Sequence, residues 1–127
     1  IGRWQKLGEQ PTTICDSGHN LAGVKQILQQ LAKVNYQKLH FVLGMVNDKD
    51  IGKILKLLPK DARYYFVKAN IPRGLDAAIL KEKAKEFELK GRTYSSVKNG
   101  WKAAKRRADP KDLIFIGGST FVVAEVV

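Results

Sequence analysis

Residues 12–23, Thr-Thr-Ile-Cys-Asp-Ser-Gly-His-Asn-Leu-Ala-Gly, constrain this chain more than any other stretch. The β-branched and apolar run Thr12, Thr13, Ile14, Cys15 reads as a buried strand. Asp16 ends it and Ser17-Gly18 turn the chain, after which Leu21, Val24, Ile27, Leu28 and Leu31 recur at helical spacing. Asn20 suits the N-cap, where its side chain accepts from the first free helix N–H groups. One strand end therefore gathers a carboxylate, an imidazole and a helix N-terminus. In open α/β sheets ligands bind at the carboxyl ends of strands, and helix N-termini favour anions. Taken alone, the pattern also fits a turn that Asp16 merely holds, and His19 alone fits a surface histidine.

The same alternation continues to the end of the chain. Residues 2–9 alternate roughly and suit a short strand before Pro11. Residues 38–43 form a second clear strand, ended by Gly44; His40 alternates there with apolar neighbours and reads as structural. A loop over 45–50 leads, through Asn47 or Asp48 as cap, into a helix carrying Ile51, Ile54, Leu55 and Leu58, closed by Pro59. Residues 62–69 are strongly β in composition. Asp76 then caps a helix with Ala77, Leu80, Ala84 and Phe87 inward, and Gly91 is its expected terminator. A short strand over 92–95 precedes a helix over 97–107, capped by Ser95 or Ser96, with Val97, Trp101, Ala104 and Ala108 on one face. Residues 113–116 make a fully apolar strand, and Gly117-Gly118-Ser119 turn it into a last helix with Phe121, Val122 and Val126. This order predicts an α/β, three-layer, Rossmann-like domain: a mainly parallel sheet of five or six strands, helices on both faces, right-handed crossovers.

At 127 residues the chain fits a single domain, long enough to bury roughly two-thirds of its unfolded surface. One cysteine excludes an internal disulfide framework and fits a reducing cytoplasm. Cys15 lies in a buried strand and reads as a small core residue, not a nucleophile. No apolar run approaches the ~20 residues of a membrane span, and no signal peptide is visible. The net charge of +11 draws polyanions, whether nucleic acid or metabolites such as ATP. Many of the lysines are interleaved with apolar helix positions, as on solvated faces. Lys105-Arg106-Arg107 fall in a helix's last turn, where cations suit the negative dipole end. A basic nucleic-acid-binding α/β module is the alternative that composition alone supports.

Four further positions carry candidate chemistry. Arg3 offers a guanidinium fork for phosphate, or a surface stack with Trp4. Lys49 is a mobile ammonium in a loop that follows a strand, or a solvated lysine in a helix's first turn. Arg73 sits in a Pro-Arg-Gly turn and has the reach for an anion. Ser119 begins a helix directly after two glycines, so a hydroxyl and free N–H groups face the same crevice as Asn20.

Asp16-Ser17-Gly18-His19-Asn20 resembles the Asp-Gly-Ala-His-Asn-Pro motif of the folylpolyglutamate synthetase/dihydrofolate synthase family, within the Mur ligase superfamily. Gly2-Arg3-Trp4-Gln5 is similar to that family's Pro-Gly-Arg-aromatic segment. Gly44 with Asp48-Lys49-Asp50, Pro72-Arg73-Gly74-Leu75, and Gly117-Gly118-Ser119 follow in the family's order. Ser17-Gly18 stand in place of Gly-Ala, and Leu21 in place of Pro. The resemblance covers only the family's C-terminal, glutamate ligase domain, here residues 1–127. No G-x-x-x-x-G-K-[ST] loop is present, so the family's ATPase domain is expected elsewhere. The opening Ile-Gly-Arg suggests an excised domain.

The resemblance implies an ATP-dependent amide ligase. ATP with Mg²⁺ phosphorylates a carboxylate of folate or dihydropteroate, and the amino group of L-glutamate attacks the acyl phosphate. It implies Arg3 on a phosphate oxygen and Asp16 accepting from the ribose hydroxyls. It also implies His19 and Ser119 donating to the carboxylates of glutamate, with Lys49 as a further glutamate contact. By itself the chain is expected to bind ATP very weakly and to be inactive, because a few charge-assisted bonds do not offset the cost of association.

Overall fold

The computed structural model describes residues 1–127. It contains six strands and five helices: β1 (Gln5–Glu9), β2 (Thr12–Asp16), α1 (Leu21–Leu31), β3 (Leu39–Leu43), α2 (Ile51–Leu57), β4 (Arg63–Phe66), α3 (Ala77–Lys85), β5 (Gly91–Thr93), α4 (Val97–Arg107), β6 (Leu113–Gly117) and α5 (Thr120–Ala124). The sheet order is β1-β2-β6-β3-β4-β5. Only β1 is antiparallel, pairing with β2 across a tight turn; all other pairs are parallel. The expected mainly parallel, three-layer architecture is the one observed.

Side-chain alternation divides the core between the two faces of the sheet. Ile14, Leu39, Phe41, Leu43, Tyr64, Phe66, Leu113 and Phe115 meet the apolar faces of α1, α2 and α3. Cys15, Val42, Tyr65, Val67, Ile114 and Ile116 point the other way, against α4 and α5. The central strands β3 and β6 are buried along their whole length, as parallel strands covered on both faces must be. The chain steps β3, β4, β5 in one direction and then returns through α4 to place β6 between β2 and β3. That reversal is the topological switch point where α/β sheets open a crevice.

Local capping follows the side chains. Asn20 accepts from the Gly23 N–H at 2.8 Å, and Ser96 from the Asn99 N–H at 3.0 Å. Asp76, the expected cap of α3, makes no side-chain cap bond, and α2 starts after Asp50, not after the expected Asn47 or Asp48, again without a side-chain cap bond. Gly91 does not terminate α3. The helix ends at Lys85 and the left-handed residue that follows is Glu88, while Gly91 opens β5. A Cβ at Gly91 would collide with the Tyr64 backbone, so the glycine serves strand pairing. On α4 the buried positions are Val97, Gly100, Ala103 and Ala104. Trp101 instead lies at the edge of that core with the Lys105 ammonium 4.1 Å from its ring centroid.

Candidate functional site

The carboxyl ends of β2, β6 and β3 lie side by side in register: Asp16 is level with Gly117, and Gly117 with Leu43. The turns that leave these strands therefore form one rim. Gly118 adopts a φ of +104°, and a Cβ there would strike the Gly44 carbonyl oxygen. Only glycine allows the β6 turn to nestle against the β3 turn. The loop after β3 is tied in turn to the loop after β4. A bridge joins Val46 to Gly74, and the Leu75 N–H donates to the Met45 carbonyl at 2.8 Å. The stretches carrying Arg3, His19, Ser119, Lys49 and Arg73 thus share one edge of the sheet. From β2 to β4 that edge spans three strand spacings, about 14 Å.

Asp16 organises the first part of the rim. It is 3% exposed. Its Oδ1 accepts from the Gly18 N–H at 2.8 Å and its Oδ2 from the Trp4 N–H at 3.0 Å. Oδ1 also lies 3.5 Å from the Nε of Arg3, whose side chain is 67% exposed. Trp4 has a φ of +45°, a left-handed conformation that is rare for a bulky residue and stores about 1–3 kcal/mol. Its anchors are the bond to Asp16 and the packing of its ring 6.0 Å from that of Phe115. The Ser17 N–H closes the corner on the Gly2 carbonyl at 2.7 Å. Because Nε faces Asp16, the two terminal nitrogens of Arg3 stay available as a fork.

His19 and Asn20 are exposed at the start of α1, with His19 Nδ1 3.3 Å from the Ser17 carbonyl oxygen. Nε2 therefore remains free toward solvent. No acidic residue occupies the first turn of α1, so nothing in the helix competes for its N-terminal field. Ser119 is 2% exposed, and its hydroxyl accepts from the Phe121 N–H at 3.0 Å. Lys49 and Arg73 are exposed on adjacent loops. Arg73 and Asn47 line a cavity of about 410 Å³ together with Asp76 and Ile79. The expectations for Asp16 and Ser119 therefore meet a geometric difference: both lie at the rim, yet both are turned inward and hold backbone.

Cys15 is fully buried, and burial, then the neighbouring Asp16 charge, pushes its thiol up, as befits a core residue. No group of three or more His, Cys, Asp or Glu side chains in this chain could hold a metal ion. No helix is long and apolar enough to cross a membrane.

A second polar cluster lies at the opposite, amino end of the sheet, and sequence reasoning missed it. His40 on β3 is 2% exposed, its Nδ1 2.8 Å from the Tyr65 hydroxyl and its Nε2 2.9 Å from Asp112 Oδ2. Asp112, 5% exposed, also accepts from the Asp109 N–H at 2.9 Å. Burial raises the Asp112 carboxyl, but the Asp109 N–H, the His40 ring and the Lys38 N–H outweigh it and the net shift is downward. Burial pushes Tyr65 up to about 12 against the pull of Arg63 and Arg107. His40 is structural, as its place in the strand implied. Its partner Asp112 stands just before an apolar strand, and that position was the available signal.

Comparison with known proteins identifies the family of this fold. The family model described as "Mur ligase, glutamate ligase domain" matches residues 2–120. A probable bifunctional folylpolyglutamate synthase/dihydropteroate synthase of Haloferax volcanii is 38% identical over 98% of this chain and 15% of its own length. The Escherichia coli FolC structure in complex with DHPP and ADP superposes with a TM-score of 0.87 at 31% identity, over 98% of this chain and 30% of that one. A bifunctional folylpolyglutamate synthase/dihydrofolate synthase structure with Mn, AMPPNP and L-glutamate bound gives 0.88 at 34% identity, with the same coverage of 98% and 30%. These relatives support the ligase reading over the nucleic-acid module. The chain spans between 15% and 30% of the length of the curated relatives it matches. With the family model covering residues 2–120 and the fold in agreement, this chain belongs to the Mur ligase family as a glutamate ligase domain.

Proposed function

We propose that residues 1–127 act as the C-terminal domain of a longer ATP-dependent ligase that adds L-glutamate to folate, or to dihydropteroate in a bifunctional enzyme. The observation that carries this reading is the rim. An exposed guanidinium fork, an exposed imidazole at a helix N-terminus and two exposed cations on tied loops share one strand-end edge. Structures solved with ADP, or with AMPPNP and L-glutamate, superpose over 98% of this chain, which supports the reading. Arg3 is assigned to a nucleotide phosphate oxygen, and His19 and Lys49 to the carboxylates of glutamate. Asp16 sets the direction of Arg3 and the turn, with the remaining Oδ2 lone pair as its means of reaching a ribose hydroxyl. Ser119 fixes the β6 turn, and its hydroxyl proton is still available to donate.

The domain works by closing over a cleft whose other wall is the ATPase domain. Closure keeps water from a hydrolysable acyl phosphate and completes the site only when the substrates are present. The Mg²⁺ that accompanies ATP is assigned to the ATPase-domain wall. A reducing, cytoplasmic setting is the one we infer from the single, buried free thiol.

The test is steady-state kinetics of glutamate addition by the ligase polypeptide carrying this domain. His19→Ala and Lys49→Ala should raise KM for glutamate about tenfold or more while leaving KM for ATP within about twofold, the loss of one charge-assisted bond each. Parallel changes in both constants, or no change, would remove these residues from the glutamate subsite.

A further inference from the structure

At the amino ends of β4 and β5, away from the rim, four cations line one cavity with no carboxylate in its wall. Arg63, Lys90, Arg92 and Arg107 line a cavity of about 310 Å³ whose walls include Tyr65 and Tyr94 and no carboxylate. None of the four is in an ion pair; the pairs in this molecule are made by Arg3, Lys6, His40, Lys53 and Lys60. Their placement is fixed by the fold. Arg63 opens β4, Arg92 is level with Tyr65 in the β4–β5 pairing, and Arg107 is the last residue of α4. Arg63 and Arg107 both act electrostatically on the Tyr65 hydroxyl, which the buried Asp112 carboxylate opposes from the interior, so the two guanidinium groups lie on its outer side. Tyr65 and Tyr94 lie together with ring centroids 5.6 Å apart.

The charge around this cavity is one-sided. Residues 89–108 contain seven lysines and arginines and no aspartate or glutamate, out of a net +11 for the whole chain. Like charges closer than a Debye length, about 8 Å at physiological salt, repel and oppose folding. Lys105, Arg106 and Arg107 gain from the helix C-terminus and Lys90 feels the Glu88 carboxylate, but Arg63 and Arg92 lie outside α4 and form no ion pair. No carboxylate lines the cavity, so an anion from outside the chain would complete its charge. Three planar forks present more donors than one carboxylate can accept, whereas a tetrahedral phosphate has enough oxygens to receive them. The volume is at the small end of ligand cavities.

We propose that the cavity between β4, β5 and the end of α4 is an anion site for a phosphate group, held by Arg63, Arg92 and Arg107 with Lys90 beside them. The ligand is free phosphate, pyrophosphate or a small phosphate monoester. The site lies at the opposite end of the sheet from the rim and stands or falls separately from the ligase reading: Arg107→Gln leaves glutamate addition unchanged.

The experiment is an amide ¹H–¹⁵N titration of the 127-residue chain at low salt with sodium pyrophosphate, and with sodium chloride at matched ionic strength. Pyrophosphate should shift Gly91, Arg92, Tyr94 and Arg107 saturably, and chloride should not. Arg63→Gln and Arg107→Gln should each weaken binding about tenfold, and Arg106→Gln, on the same turn but outside the cavity, less than about twofold. Thermal melting separates this from misfolding. Without anion Arg107→Gln should melt at or above the parent temperature because repulsion is relieved, and with pyrophosphate it should lose the parent's upward shift. Phenyl phosphate binding more tightly than inorganic phosphate assigns an ester, using the tyrosines; equal binding assigns the free ion. Equal responses to chloride and pyrophosphate, or equal losses in Arg106→Gln and Arg107→Gln, would overturn the site. Tighter binding of single-stranded RNA with shifts running along Lys98, Lys102 and Arg106 would also overturn it.

Discussion

Two buried aspartates, one at each end of the sheet, show how this domain separates site from scaffold. Asp16 ends β2 at the rim and Asp112 precedes β6 at the other end, and both are almost inaccessible. Asp16 holds two backbone N–H groups and the root of an arginine that is two-thirds in water. Asp112 holds one backbone N–H and a histidine that is itself buried and bonded to a buried tyrosine. The first carboxylate therefore aims a solvent-facing cation, and the second ties strands β3 and β4 to the segment before β6. A buried charge whose partner reaches the surface points to a ligand; one whose partner is also buried points to packing.

The contrast breaks first at Asp16→Ala. The substitution leaves the Trp4 and Gly18 N–H groups without their acceptor and releases a left-handed tryptophan. We expect about 3 kcal/mol of destabilisation in urea unfolding, from orphaned donors at roughly 1–3 kcal/mol each. Next comes His40→Gln, which keeps a polar side chain but not the ring that spans Tyr65 and Asp112. A loss of about 1–3 kcal/mol is expected, since a buried carboxylate is left poorly paired. Ligase kinetics should stay at the parent level in this variant.

Acid unfolding sharpens the comparison. The carboxyl of Asp112 is depressed when folded, so its contribution is fully present above the unfolded value of about 3.9 and is lost as pH falls through the folded value. A stability profile should therefore fall below about pH 4, and Asp112→Asn should flatten that fall. The smallest effect on folding belongs to Arg3→Ala: within about 0.5 kcal/mol, because an exposed arm of an ion pair contributes little.

Most of the fold was legible because the apolar pattern is consistent along the chain. Residues 39–43 and 113–116 are uninterrupted apolar runs apart from His40, and they became the two central strands. Asn20, Ser96 and Ser119 stand where caps were expected. Gly91 misled because a glycine after a helix and a glycine required for close strand pairing look alike in sequence, and only the Tyr64 backbone distinguishes them. The rim's residues were readable from type and order, but their burial was not. Exposure at Asp16 and Ser119 depends on how the segment before β1 and the β6 turn fold back, which are long-range contacts. The Arg63, Arg92 and Arg107 cavity was hidden for the same reason, since three elements separated in sequence supply it.

The most direct measurement compares the kinetics and the melting temperature of the ligase polypeptide with and without Arg3→Ala. In Arg3→Ala kcat/KM for ATP should fall by about tenfold to a hundredfold, one or two charge-assisted bonds, with the melting temperature unchanged within about a degree. Unchanged kcat/KM for ATP, or a loss matched by a large fall in melting temperature, would contradict the claim that Asp16 holds this arginine for the nucleotide.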